Sequence, residues 1–138
     1  MAELYIDATN AIVGRVGAFA AKRALLGDTV KIMNCEKAVM SGRKESIIER
    51  YYNLRNEIGQ PQKGPFIPRL PDRFMRRTIR GMLPYKRQKG AAAYKRILCY
   101  LGIPVQFKDK KLQKVPGAGA EKLKSLKRVT VEEVCKKI

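Results

Sequence analysis

Three features of this 138-residue chain predict an α/β fold in which helices alternate with parallel strands. The first third reads strand, helix, strand, and strands joined through a helix lie parallel with a right-handed crossover. Helical periodicity returns further on, and residues 103–107 supply an apolar run fit for a last core strand. The length suits one domain burying about two-thirds of its unfolded surface, and 45% hydrophobic residues supply one core.

Leu4, Tyr5 and Ile6 form a short strand stopped by Asp7, and Thr9 and Asn10 are good helix N-caps. Across residues 12–26, Ile12, Val16, Phe19 and Ala20 recur three and four apart, with Gly27 as the C-terminal stop. Residues 29–33 are β-rich and complete the βαβ unit, and a second short strand is expected at 38–40. Ser41 or Gly42 then opens a helix over 43–57, with Ile47, Ile48, Tyr51, Leu54 and Ile58 at helical spacing. Pro61, Pro65, Pro68 and Pro71 make 59–71 an extended surface loop, because proline fixes φ and donates no backbone hydrogen bond.

Pro71 and Asp72 suit the first turn of a helix running to about Gly81. Residues three and four apart share a helix face, so Arg73, Arg76, Arg77 and Arg80 line one side, facing out, while Met75, Ile79 and Met82 line the docking side. After Pro84, a helix over 89–101 turns Tyr94, Ile97, Leu98 and Leu101 inward, with Lys89 and Arg96 on another side, and Gly102 ends it. Residues 108–128 mix lysines with Pro116, Gly117 and Gly119, a composition expected to order against a partner. Thr130 and Glu133 spell a capping box for a short terminal helix. The organisation expected is an α/β domain over 1–107, with its basic helical segment at 71–101, and a basic extension over 108–138.

The formal charge of +18 far exceeds what solubility requires, and it is unevenly placed. Residues 1–57 carry a net +2, residues 58–108 a net +11 and residues 109–138 a net +5. Between Arg73 and Arg96 stand nine bases, namely Arg73, Arg76, Arg77, Arg80, Lys86, Arg87, Lys89, Lys95 and Arg96, and no acid. A solvated face usually mixes signs, whereas a one-signed face rich in arginine suits the forked recognition of phosphate. Nucleic acid is the partner indicated. The absence of helix-turn-helix or zinc-finger spacing favours RNA, and Tyr85 and Tyr94 are aromatic surfaces in the same stretch, Tyr94 falling on the apolar stripe.

Other chemistry is poorly supplied. There is no histidine, and Cys35, Cys99 and Cys135 are widely spaced without a Cys-x-x-Cys pair, which argues against a metal site, a disulfide framework and an oxidising compartment. Gly14 and Gly17 follow the first strand without the G-x-G-x-x-G pattern, and are read as glycines that bring helix close to strand. An enzyme acting on RNA near Asp7 and Gly14 is the alternative from another class. No apolar window approaches the ~20 residues of a membrane span.

Family-level motifs sharpen this. Ile6, Asp7, Ala8 with Gly14, Arg15, Val16; Asn34, Cys35, Glu36, Lys37 with Ser41, Gly42, Arg43, Lys44; Arg80, Gly81, Met82, Leu83, Pro84, Tyr85, Lys86 with Gly90; and Leu101, Gly102, Ile103, Pro104 resemble, in order and spacing, the ribosomal protein L thirteen family of the large subunit. The resemblance implies a three-layer α/β/α domain on a four-stranded parallel sheet, archaeal in type. It further implies a cytoplasmic protein that binds large-subunit ribosomal RNA beside neighbouring ribosomal proteins, as a structural and assembly component without catalysis, cofactor, metal or small-molecule substrate. Carried over by position, Arg80, Gly81 and Lys86 face the RNA, joined by Lys37, Arg43 and Lys44. Gly81 is expected to let the backbone turn closely, and Pro84 to aim Lys86 and Arg87 at phosphate.

Overall fold

The structure is a computed structural model that describes residues 2–138. β1 (Glu3–Asp7), β2 (Thr29–Met33) and β4 (Ile97–Cys99) form a parallel sheet in the order β1-β2-β4, with α1 (Val13–Leu25) crossing from the first to the second. The register sets Leu4 beside Val30 and Ile6 beside Ile32, and Val30 and Ile32 beside Ile97 and Cys99. Alternate strand residues point to opposite faces, so these side chains share one. That face packs on Val16, Ala20 and Ala24 of α1, on Met75 and Ile79 of α3 (Pro71–Arg80), and on Ala93 of α4 (Gln88–Lys95).

Tyr5, Lys31 and Leu98 occupy the other face, where the 3-10 turn Val105–Phe107 packs on Tyr5 and Lys31. The Phe107 ring lies 5.5 Å from that of Tyr5 and 5.4 Å from that of Tyr100, with Lys31 Nζ 4.7 Å above it.

Two strand expectations are corrected. The parallel sheet has three strands, because β3 (Val39–Ser41) leaves it and pairs antiparallel with β5 (Arg128–Thr130). Its third strand is Ile97–Cys99, which periodicity assigns to the end of a helix, while 103–107 forms no strand. Short apolar runs fit either period, and pairing to β2 decides for the strand. Pro104 denies 103–107 a ladder donor, and Val105 is 79% exposed. The preceding helix stops at Lys95, so Leu101, expected inward, is exposed.

The remaining elements follow the local chemistry closely, with shifts at the ends. α1 begins at Val13 without a side-chain cap: Asn10 is left-handed (φ 54°) and the Thr9 hydroxyl turns back to Asp7. Gly27 closes α1 with φ 103°, a region glycine enters freely. α2 (Lys44–Asn56) opens after Gly42 (φ 126°) and Arg43, and α3 starts at Pro71 as the sequence indicates.

Residues 108–128 fold back on the domain. Gln113 exchanges backbone hydrogen bonds with β1, the Ile12 N–H donates to the Ala118 carbonyl, and Ala118 is buried. Beyond them, Val129 of β5 and Val131, Val134, Cys135 and Ile138 of the last helix, α5 (Val131–Lys137) and its C-cap, join the same core as Ile6 and Ile32. The capping box is complete: Glu133 N–H donates to Thr130 Oγ1 at 3.3 Å, and Thr130 N–H to Glu133 Oε2 at 3.2 Å. Thr130→Ala removes one half of that exchange, with an expected loss of about 1 kcal/mol, read as a lower urea midpoint at unchanged slope.

Candidate nucleic-acid interface

Helix α3 alternates its chemistry at helical spacing. Phe74, Met75 and Ile79 are buried, while Arg73, Arg76, Arg77 and Arg80 border an open groove of about 430 Å³ together with Pro68 and Tyr94. No acid lines it. Met82, expected on the docking side, does lie there, its thioether against Gly17 of α1, yet it stays 39% exposed while Leu83 beside it is buried. α3 reaches α1 at Gly17, where an added Cβ would lie 3.0 Å from Met82 Sδ and 3.3 Å from Ile79 Cγ1. That glycine therefore serves a helix–helix approach and not the helix–strand contact read from sequence. Gly14 has open space around it.

The four arginines are not equivalent. Arg76 Nε donates to the Ile97 carbonyl at 3.0 Å and Nη2 to the Tyr94 carbonyl at 3.3 Å, with the guanidinium 4.2 Å from the Tyr94 ring centroid. It fastens α3 to the entry of β4. Arg96, also in the predicted set, donates from Nη1 to the Ala24 carbonyl at 3.0 Å, a second bond to a C-terminal carbonyl of α1 that already accepts from Gly27 N–H. By contrast the side chains of Arg73, Arg77 and Arg80 make no hydrogen bond or ion pair among the described residues, and Arg80 lies 4.7 Å over the exposed Tyr85 ring.

The turn after α3 is held by a close approach. A Cβ at Gly90 would collide with the Pro84 carbonyl, so α4 can lie against this turn only with glycine there. Arg87 N–H donates to the same carbonyl at 2.9 Å. Lys86 and Arg87 project into solvent from this fixed turn, Lys89 from the first turn of α4, and Lys95 is exposed at the end of α4. Gly81 is different: it is the exposed C-cap of α3 in ordinary helical conformation (φ −63°), and an added Cβ would have only the Thr78 carbonyl at 3.5 Å. The fold does not require glycine there, contrary to the expectation of a special turn.

Lys37 is exposed in the 3-10 turn Cys35–Lys37 after β2, Arg43 is the N-cap of α2, and Lys44 begins α2 with Nζ 3.9 Å from Glu133. These three stand apart in the chain from the α3 groove and do not line it. No sequence signal marks Pro68 as a groove wall, and Tyr94, expected in the core, packs against it half-buried while its ring also borders the groove. The arginine repeat marks the face, but nothing in the spacing reveals which arginines are tied down.

At the strand ends, where α/β enzymes hold ligands, the polar groups are already engaged. Asp7 Oδ1 accepts from Thr9 N–H, the Thr9 hydroxyl and Asn34 Nδ2 at 2.7 to 3.0 Å. Burial would push its carboxyl up, yet those bonds outweigh it and hold Asp7 below the usual carboxylate range. Glu36 accepts from Gly102 N–H at 3.1 and 3.3 Å. Burial, with Asp72 adding to it, pushes the Cys135 thiol up to about 12, and the Cys35 contact and burial raise Cys99 well above its ordinary value. Neither is a thiolate at neutral pH. Among the described residues, no helix is long and apolar enough to cross a membrane.

Fold and surface together define a small basic α/β protein with an acid-free arginine groove on one helix. The chain belongs to the ribosomal protein L13 family, whose model matches residues 2–106. It is similar over 133 residues, at 44% identity and 96% and 95% coverage of the two chains, to the large ribosomal subunit protein uL13 of Methanococcoides burtonii. The uL13 proteins of Archaeoglobus fulgidus (41% identical, 94% and 83% covered) and Methanococcus maripaludis (47% identical, 72% and 74% covered) resemble it likewise. It is of archaeal type, and its family is one of structural ribosomal proteins, not enzymes.

The division among arginines is testable without any ligand. Arg76→Ala is expected to cost about 2 kcal/mol, since it strips hydrogen bonds made by a charged donor, whereas exposed Arg73→Ala should stay within about 0.5 kcal/mol of the parent. Urea unfolding of the two variants measures both.

Proposed function

We propose that the chain is a structural constituent of the large ribosomal subunit in the cytoplasm, that it binds large-subunit ribosomal RNA through the α3 groove and the turn behind it, and that it thereby supports subunit assembly and translation. The observation that carries this reading is the groove itself: four arginines, three with uncommitted side chains, next to a held turn presenting Lys86 and Arg87 and the start of α4 presenting Lys89. Cations held this close without acids repel one another unless a polyanion neutralises them. Guanidinium forks match phosphate oxygens, and Arg80 stacked on Tyr85 offers a plane as well as a charge.

Gly81 fits the same reading. Conformation does not demand it, and an exposed residue without a side chain amid arginines leaves room for a sugar-phosphate backbone to approach. Arg76 and Arg96 act here chiefly by holding the scaffold, adding charge at its edge. Lys95 extends the basic surface along α4, and Lys37, Arg43 and Lys44 supply a second basic patch near the strand ends. The relatives' names place those proteins in the large subunit, where neighbouring ribosomal proteins become the remaining partners.

Phosphate contacts dominate such binding, so affinity for large-subunit ribosomal RNA should fall steeply with salt. Each contact contributes about 0.7 to 0.9 to the log-log slope. A salt-insensitive affinity contradicts the proposal. The triple variant Arg73→Glu, Arg77→Glu, Arg80→Glu should keep its circular dichroism spectrum, because none of the three side chains is bonded within the described residues, and should fail to sediment with large subunits. Sedimentation at the parental level contradicts it.

A further inference from the structure

We infer that a second groove, on the other side of Arg77 from the arginine groove, receives one unstacked base of the bound RNA. It rests on the RNA-binding reading above and adds a site that the arginines alone do not provide. The groove holds about 270 Å³ between α2, α3 and the proline-rich loop, lined by Tyr51, Leu54, Ile67, Phe74, Arg77 and Thr78 with Pro65 at its edge. That is below the roughly 300–1,000 Å³ of pockets for drug-sized ligands and suits a single ring system.

Its chemistry selects a nucleotide over either half of one. The walls are predominantly apolar, with the Tyr51 and Phe74 rings meeting edge to face at 4.9 Å, which no phosphate alone requires. Yet no acid borders it, and its rim is Arg77, the same side chain that borders the arginine groove. A strand following the arginines therefore passes the mouth of an apolar slot, with a cation at the junction to hold the phosphate of the turned-out nucleotide. Every base has a π-face that such a slot accepts. The Thr78 hydroxyl donates to the Phe74 carbonyl at 3.1 Å, which leaves its oxygen free to accept from a base amino group. Arg55 Nη1 donates to the Ile67 carbonyl at 2.6 Å and keeps the loop wall in place.

Two measurements on the full chain decide it, with archaeal large-subunit ribosomal RNA as the probe. Short-wave ultraviolet irradiation of the wild-type complex, followed by trypsin and mass spectrometry, should yield a nucleotide adduct on Tyr51 within the peptide spanning 51–55, and not on its exposed neighbour Tyr52, which lies outside the groove. Thr78→Phe fills the slot, and should weaken RNA binding roughly 5- to 150-fold, the worth of one stacked base, with the salt slope reduced by no more than about 0.9, the share of the single phosphate contact at Arg77. Folded Thr78→Phe that binds with wild-type affinity overturns the inference, as does an adduct confined to residues outside the groove, Tyr52 included; either result is what a groove covered by a neighbouring protein gives. The wild-type adduct decides the matter even if the variant misfolds. Failure of the RNA-binding reading looks different, because wild-type binding would then lack its salt dependence.

Discussion

Helix α3 must serve as a core wall and a cationic surface at once, and the contact that permits both is its approach to α1 at Gly17. With a side chain there, Met82 and Ile79 would have to give way, since the Cβ alone reaches within 3.3 Å of both. Because α1 can come that near, Met75 and Ile79 close the core over β2 and β4, and both are fully buried. The opposite side of the same turns then has nowhere to go but solvent. Ten residues cannot bury both sides, so the arginine groove follows from the packing behind it.

Positioning the charges takes more than pointing them outward. Arg76 spends its charge on the carbonyls of Tyr94 and Ile97, and this ties α3 to the strand that completes the sheet. Gly90 lets the Pro84 carbonyl sit against α4, so the turn carrying Lys86 and Arg87 is part of the scaffold. A rigid array of cations pays its repulsion once, during folding, and meets a polyanion without further ordering cost. The aromatic rings of Tyr85 and Tyr94 contribute by lying under guanidinium groups at 4.7 and 4.2 Å.

What sequence made legible was local. The βαβ unit, the start of α3 at Pro71, the burial of Met75 and Ile79 and the Thr130–Glu133 capping box all depend on residues close in the chain. What it missed was decided between distant segments. Ile97–Cys99 pairs with Val30 and Ile32 because those strands meet in space, and no period within 89–101 announces that. Val39–Ser41 finds β5 some ninety residues on, so the parallel sheet stops at three strands. The same holds for the surface: arginine spacing exposed the face, while the carbonyls that occupy Arg76 and Arg96 come from β4, α4 and α1.

Arg73, Arg77 and Arg80 have unbonded side chains among the described residues, and the proposed function has RNA engage them in the ribosome. Arginine-selective chemical modification with phenylglyoxal, read by mass spectrometry on the free protein and on assembled large subunits, tests it directly. The account predicts that these three react readily in the free protein and are protected in the subunit, while Arg76, bonded through its own fold, reacts slowly in both. Equal reactivity of Arg73, Arg77 and Arg80 in the two states contradicts it.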